Sequence, residues 1–596
     1  MTYPTMPPRL LKIKKLSVYL IILIGTFSCS NEGSDLASYR TPYEISDGKA
    51  TTTYEQGIDW WKALESRSPY LKVIDFGDTD AGKPLHLIIL NKERNFSLEK
   101  LHTDNKLILL VNNGIHPGEP DGIDASMIFT RELLSNADVK NKLDDIILAI
   151  IPFYNVGGAM NRNCCSRANQ NGPESYGFRG NSRNLDLNRD FIKCDSRNAQ
   201  SFNQLFSSLD PDIYLETHVT NGADYPYTMT YLVSQPDKLG KHLGTTVRDE
   251  LSPLLFDMMK KKEDEMIPYV NVHGGSPEHG FSAFYDSPRY STGYTALHHS
   301  IGMLTETHML KPFDQRVEST KRFLESLLDA SAQLKDHIIA AREEQLKTDR
   351  ALGEMHIDWE LDSSLVEELV FKGYQAYKDT SSVTGQPQLY YNRDSIWTKP
   401  IPYYNVMKPK TTVSVPSYYL VPRAWSEVID RLTWNGVKMK PLEHDTTMDV
   451  VAYEILETQT PKNPYEGHYI HRNTSVEKQY WSHTILGGTH YLIDTEQDKK
   501  RFILETLEPE APDSYFNWNF FDEVLMQKEW FSSYIFDREA EKLLESDSAL
   551  ARTFEEMKAK DSIFANDAFS QLYFLYRNSD HYERNRHNIY PILRIE

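Results

Sequence analysis

The chain has 596 residues, enough for two or three domains, with the 40% apolar and 25% charged balance of an ordinary globular protein. Its formal net charge of -20 argues against a nucleic-acid partner, which would call for a basic surface. Aromatic content reaches 12%, with 35 tyrosines, enough for ring-lined pockets or a tyrosine-rich surface.

At the N-terminus, Arg9, Lys12, Lys14 and Lys15 precede the apolar run Leu16 to Phe27, which is short for a membrane span and reads as a signal peptide. Ser28-Cys29-Ser30 follows. A Cys directly after an apolar run resembles a bacterial lipoprotein signal, although Thr26-Phe27-Ser28 departs from the usual Leu-Ala-Gly lead-in. This predicts a leader over 1–29, acyl chains on Cys29, a flexible tether over 30–46 and an exported protein of the cell envelope, held to the membrane only through its lipid anchor.

Next, Gly77 to Pro84 nearly spells a phosphate loop, but Pro84 stands where Ser or Thr would bind magnesium and a strand follows, so it reads as a hairpin turn. Lys106 to Val111 is a continuous apolar run of strand length, ended by the turn residues Asn112-Asn113-Gly114. A helix is expected from Asp121, with apolar Ile123, Met127, Ile128, Leu133 and Leu134. His116-Pro117-Gly118-Glu119 therefore lies in a strand-to-helix loop, where α/β folds keep their chemistry.

An isolated His-x-x-Glu is usually a solvated turn, but a third ligand type follows. In Asp210 to His218 the alternation of a strand puts Glu216 and His218 on one face. His116, Glu119 and His218 make a three-ligand set whose imidazole and carboxylate donors suit one zinc ion with a fourth position left for water; a closed structural site would need four. Glu216 can orient His218, and Asp186 in Leu185-Asp186-Leu187-Asn188-Arg189-Asp190-Phe191 can orient His116, since a ligating His usually gives its second ring N–H to a carboxylate. Leu304-Thr305-Glu306-Thr307-His308 repeats the Glu-Thr-His pattern and offers His308 as a rival to His218. Cys164, Cys165 and Cys194 flank the Asn-Arg segment, and a bridge such as Cys165 to Cys194 suits an oxidising compartment.

A long helix over about Phe313 to Leu352 closes a first domain, 47–352. Residues 353–596 form a second region, with short alternating β runs between turns to about Ile493 and then helices. Seven of the nine tryptophans lie beyond residue 350, so this region has its own core to fill. Leu507 to Ser514, with Trp518, is read as domain-interface packing in preference to a wall of the cleft. There is no His-Glu-x-x-His and no Gly-x-Ser-x-Gly elbow.

Taken in order, HPGE, LDLNRDF, ETH and LTETH resemble the zinc metallocarboxypeptidase family of the carboxypeptidase A type, over about residues 50 to 345. Gly77 to Leu90 and Tyr154-Asn155-Val156-Gly157-Gly158 are similar to further family segments. The resemblance implies an α/β fold, a mixed sheet flanked by helices, followed here by a C-terminal α+β region. It implies zinc on His116, Glu119 and His218, and hydrolysis of the C-terminal peptide bond by a metal-activated water with Glu306 as general base. Asn188 and Arg189 would bind the substrate's free carboxylate. Arg167 would stabilise the oxyanion, in preference to Arg162, Arg179 and Arg183, and Tyr290 would cap the substrate, with Tyr285 and Tyr294 as alternatives. The family order, ligand His before late Glu, favours His218 over His308. Two other readings stay open: a zinc amidohydrolase or wall-peptide peptidase using the same site, and an inactive envelope binding protein, against which the retained Glu306 speaks. Side-chain preference and oligomeric state are not set by these residues.

Overall fold

The computed structural model describes residues 36–136 and 141–596. The expected leader, Cys29 and the first part of the tether lie outside the described residues. Residues 36–46, also read as flexible tether, are instead docked on the first domain. Leu36 and Thr41 are buried, Tyr39 stacks on Trp60, and Thr41 closes a capping box with Glu44 on the short helix Pro42–Ile45. Glu44 also pairs with Arg131. Leu36, Tyr39 and Tyr43 carry enough apolar surface to hold the segment down.

The central sheet is built from β1 (Leu71–Asp78), β2 (Pro84–Leu90), β3 (Leu107–Asn112), β4 (Ile146–Ile151), β5 (Ile213–Thr220), β6 (Met229–Val233), β7 (Ile267–Pro268) and, after the short β8 (Phe281–Ser282) that pairs elsewhere, β9 (Ile301–His308). Its order is β1-β2-β4-β3-β5-β9-β6-β7. β4, β3, β5 and β9 run parallel in the middle, and β1, β2 and β6 are antiparallel to their inner neighbours. Helices cover both faces of the middle strands, which is why β3 and β4 read as unbroken apolar runs. Leu107, Leu109 and Val111 face the helices Asp121–Ser135 and Phe313–Ala351. Ile108 and Leu110 face the helix Arg197–Leu209.

That second face does not stop at the first domain. Phe502, Leu507, Tyr515 and Trp518 belong to the same buried cluster as Ile108, Leu110 and Phe202, so the two regions share one core. Beyond residue 353 lie a long hairpin, Glu367–Thr380 with Pro387–Tyr404, whose end pairs with β8, and a six-stranded sheet. Leu593–Ile595 inserts into that sheet between Tyr418–Pro422 and Thr446–Gln459. Four helices follow between Ser533 and Arg577. A helix, Ser426–Trp434, interrupts the stretch read as β; Val428 and Leu432, four residues apart, bury its inner face. No helix among the described residues is long and apolar enough to cross a membrane.

Candidate active site

The parallel strands β3, β5 and β9 end side by side, and the site sits at their carboxyl ends. Beyond β3 the chain turns tightly, with Glu119 N–H donating to His116 carbonyl at 2.8 Å, before the Asp121–Ser135 helix begins. β5 carries His218. In the β5/β9 ladder His218 is the register partner of Glu306, so residues far apart in sequence become neighbours on one sheet face.

His116 Nδ1 lies 3.3 Å and His218 Nδ1 3.0 Å from the same oxygen, Glu119 Oε2. The three ligand atoms all fall within 4.8 Å of one another, and all three residues are buried. Each imidazole turns its other nitrogen to a carboxylate: His116 Nε2 is 2.9 Å from Asp186 Oδ1 and His218 Nε2 is 2.9 Å from Glu216 Oε2. Converging Nδ1 atoms with acids behind both rings are the donor set and support that a zinc site requires. His308 stands outside this cluster, paired with Asp224 and packed on Tyr225.

The electrostatics match this arrangement. Burial works against the charge on Glu119, yet Arg167 and His116 hold its carboxyl well below the usual range. Burial likewise opposes the charge on His218, but hydrogen bonds to Glu119 and Glu216 outweigh it and raise the imidazole to about 10. For Glu306 burial dominates and, with Glu119 nearby, pushes the carboxyl up to about 8. A cation among the three ligand atoms would favour its ionised form. Glu306 Oε2 is buried with no hydrogen-bond partner among the described residues, as expected of a group that awaits a water or substrate.

His116, Glu119, His218, Glu306, Arg167, Asn188, Arg189 and Tyr290 all line one cavity of about 370 Å³. Of the three candidate tyrosines only Tyr290 does so. Tyr285 donates to Asp358 at 3.0 Å, and Tyr294 is buried against Asn435. Among the arginines, Arg162 and Arg183 are spent on the backbone carbonyls of Ser175 and Asp195. Arg179, ranked behind Arg167 in sequence, lines the same cavity; Arg167 Nη1 is 2.7 Å and Arg179 Nη1 3.4 Å from Glu119 Oε1. Tyr269 and Phe284 complete the wall and had no motif to mark them. The Cys165–Cys194 pairing does not form: Cys164 and Cys165 are bonded to each other on an exposed turn, while Cys194 is buried with a free thiol.

Residues 58–342 match the family described as zinc carboxypeptidase. They form a zinc carboxypeptidase domain. Carboxypeptidase 2 of Trichophyton tonsurans is 24% identical over 496 residues, covering 80% of this chain and 85% of that protein, a span longer than the domain match. Carboxypeptidase 2 of Trichophyton rubrum is 25% identical over 437 residues, 69% of this chain and 74% of that protein. Among solved structures, a metallo-carboxypeptidase from Burkholderia cenocepacia aligns at 14% identity and TM-score 0.36, covering 48% of this chain and 70% of that one. Another from Pseudomonas aeruginosa aligns at 16% and 0.37 with the same coverage. The domain match and the Trichophyton relatives make the chain a peptidase hydrolase.

Proposed function

We propose that the enzyme removes single residues from the C-termini of peptides, an exopeptidase that uses His116, Glu119 and His218 to hold zinc. The observation that carries this reading is that Arg189 and Asn188 line the same cavity as Glu306 and the three ligands. A guanidinium is always charged and grips a carboxylate with two parallel hydrogen bonds, so a free α-carboxylate is the group it fits. Zinc bound there supplies Lewis-acid polarisation of the scissile carbonyl and activation of water. Glu306, buried and unpartnered at Oε2 among the described residues, takes a proton from the attacking water and delivers it to the leaving amine. Arg167 and Arg179 bring positive charge to where the oxyanion develops. Tyr290 closes over the substrate from the side of the clamp.

Leu232, Phe284 and Leu304 contribute apolar wall beside the polar Thr220, Asn221 and Thr292, and Glu119 and Glu306 are the cavity's only carboxylates among the described residues. With both assigned to the metal and to catalysis, no carboxylate is left to pair with a basic C-terminal side chain, which argues against one. The basic residues, apolar run and Cys29 at the start of the chain support placing the activity outside the cytoplasm. The test is a pair of variants: Glu306→Gln keeps zinc and loses hydrolysis by about a hundredfold or more, whereas His218→Ala loses both. Equal zinc content in wild type and His218→Ala would reject the ligand assignment.

A further inference from the structure

One turn beyond residue 353 touches a residue that lines the cavity, Arg189. Tyr465 and His468 close it with reciprocal backbone hydrogen bonds of 2.7 and 3.0 Å. Its two central residues, Glu466 and Gly467, both have positive φ, 49° and 86°. Gly adopts that conformation freely; Glu does so against the crowding of its Cβ on the following carbonyl oxygen. The side chains at the turn go to the catalytic domain. Tyr465 Oη accepts from Arg189 Nε at 2.9 Å, and Glu466 Oε2 accepts from the backbone N–H of Asp186 at 2.9 Å, the residue whose carboxylate supports His116.

Arg189 is held on three sides. Nε–H goes to Tyr465, Nη1 donates to the Asn188 carbonyl at 2.6 Å, and the guanidinium lies over the Tyr290 ring at 4.5 Å. Of its five N–H donors, three are left, all on the two terminal nitrogens, so a carboxylate must approach end-on to the fork. Tyr465 is itself fixed. Its ring stacks on buried Trp518 at 6.3 Å, and Arg289, bound to Asp513 by Nε at 2.9 Å, lies over both rings. His468 anchors the other end of the turn, 2.7 Å from Asp195 Oδ2.

We propose that Tyr465 is the positioning residue of the carboxylate clamp: by taking Arg189 Nε–H it orients the guanidinium toward the substrate's terminal carboxylate, which makes the C-terminal region part of substrate recognition. This rests on Arg189 being the clamp, and its test separates the two ideas. Binding of N-acetylphenylalanine and of N-acetylphenylalanine amide is measured by calorimetry on the zinc-loaded full chain, as wild type, Tyr465→Phe, Arg189→Lys and the double variant, alongside KM and kcat on a free-acid peptide. Tyr465→Phe keeps the ring and loses only the hydroxyl. It should weaken the acid about tenfold, leave the amide unchanged, and raise KM with kcat within about twofold. In the Arg189→Lys background, which lacks the Nε–H, the same substitution should change nothing. An unaltered acid-to-amide ratio in Tyr465→Phe, or a loss undiminished in Arg189→Lys, overturns the inference. Wild type that prefers the acid but hydrolyses no peptide would reject the exopeptidase reading and leave this one standing. Wild type with no preference for the acid would reject the clamp and this inference together.

Discussion

Replacing Glu216 by Gln isolates the support behind one zinc ligand. The Glu216 carboxylate is fully buried and accepts four hydrogen bonds. Oε2 takes His218 Nε2 at 2.9 Å and Ser291 Oγ at 2.8 Å; Oε1 takes Tyr214 Oη at 2.8 Å and Asn112 Nδ2 at 3.2 Å. Those four fill its lone pairs. An amide keeps one oxygen for His218 and Ser291 and turns an NH2 group toward Tyr214 and Asn112. Both neighbours can adapt: the hydroxyl rotates, and Asn112 has a buried Oδ1 with no partner among the described residues that an amide flip would present. The fold should therefore survive at a cost of about 1–2 kcal/mol. What is lost is the negative charge that makes His218 a stronger donor and fixes its ring. Loss of such a partner lowers metal affinity by about 10- to 100-fold, or about 1–3 kcal/mol. The assay is zinc competition against a chelator of known affinity, with a thermal melt to confirm folding. A folded Glu216→Gln that holds zinc within twofold of wild type would refute the reasoning.

Two further outcomes are expected. His299, buried beside Asp349 at 2.7 Å, has its imidazole pulled down to about 4 by burial and by Arg501, from 6.5. The unfolded chain therefore binds the proton first, and stability that is intact above about pH 7 falls by about 2 kcal/mol on acidifying to pH 5; the melting temperature of His299→Gln should fall less than wild type's over that interval, and an equal fall would contradict the assignment. For the cysteines, alkylation of the native protein without reductant should label none of Cys164, Cys165 and Cys194, and mild reduction should expose Cys164 and Cys165 while Cys194 reacts only on unfolding, as peptide mapping would read.

Much of the site was legible because local patterns carry it. The strand before His116 follows from an unbroken apolar run, its end from Asn112-Asn113-Gly114 and the helix from Asp121 from apolar spacing, and alternation puts Glu216 and His218 on one face. The order of the family that the chain resembles favours His218 over His308; in the β5/β9 register His218 lies against Glu306, while His308 pairs with Asp224. What was hidden depends on contacts that no spacing encodes. Arg179 and Arg167 sit in one loop region, and only the fold decides that both point at Glu119. Tyr465 lies 276 positions from Arg189, and the shared core that brings it there is spread over residues from both regions. The Cys165–Cys194 bridge failed because one partner is turned to solvent and the other is sealed in the core. The docking of residues 36–46 was missed because three apolar side chains among polar ones have no period to read.

The most direct test of the central claim is mass spectrometry of a mixed peptide library after incubation with the zinc-loaded full chain. Stepwise loss of single C-terminal residues, abolished by chelation and restored by zinc, is the predicted result. Internal cleavage, removal of N-acyl groups alone, or no cleavage with zinc bound and Glu306 intact would contradict it.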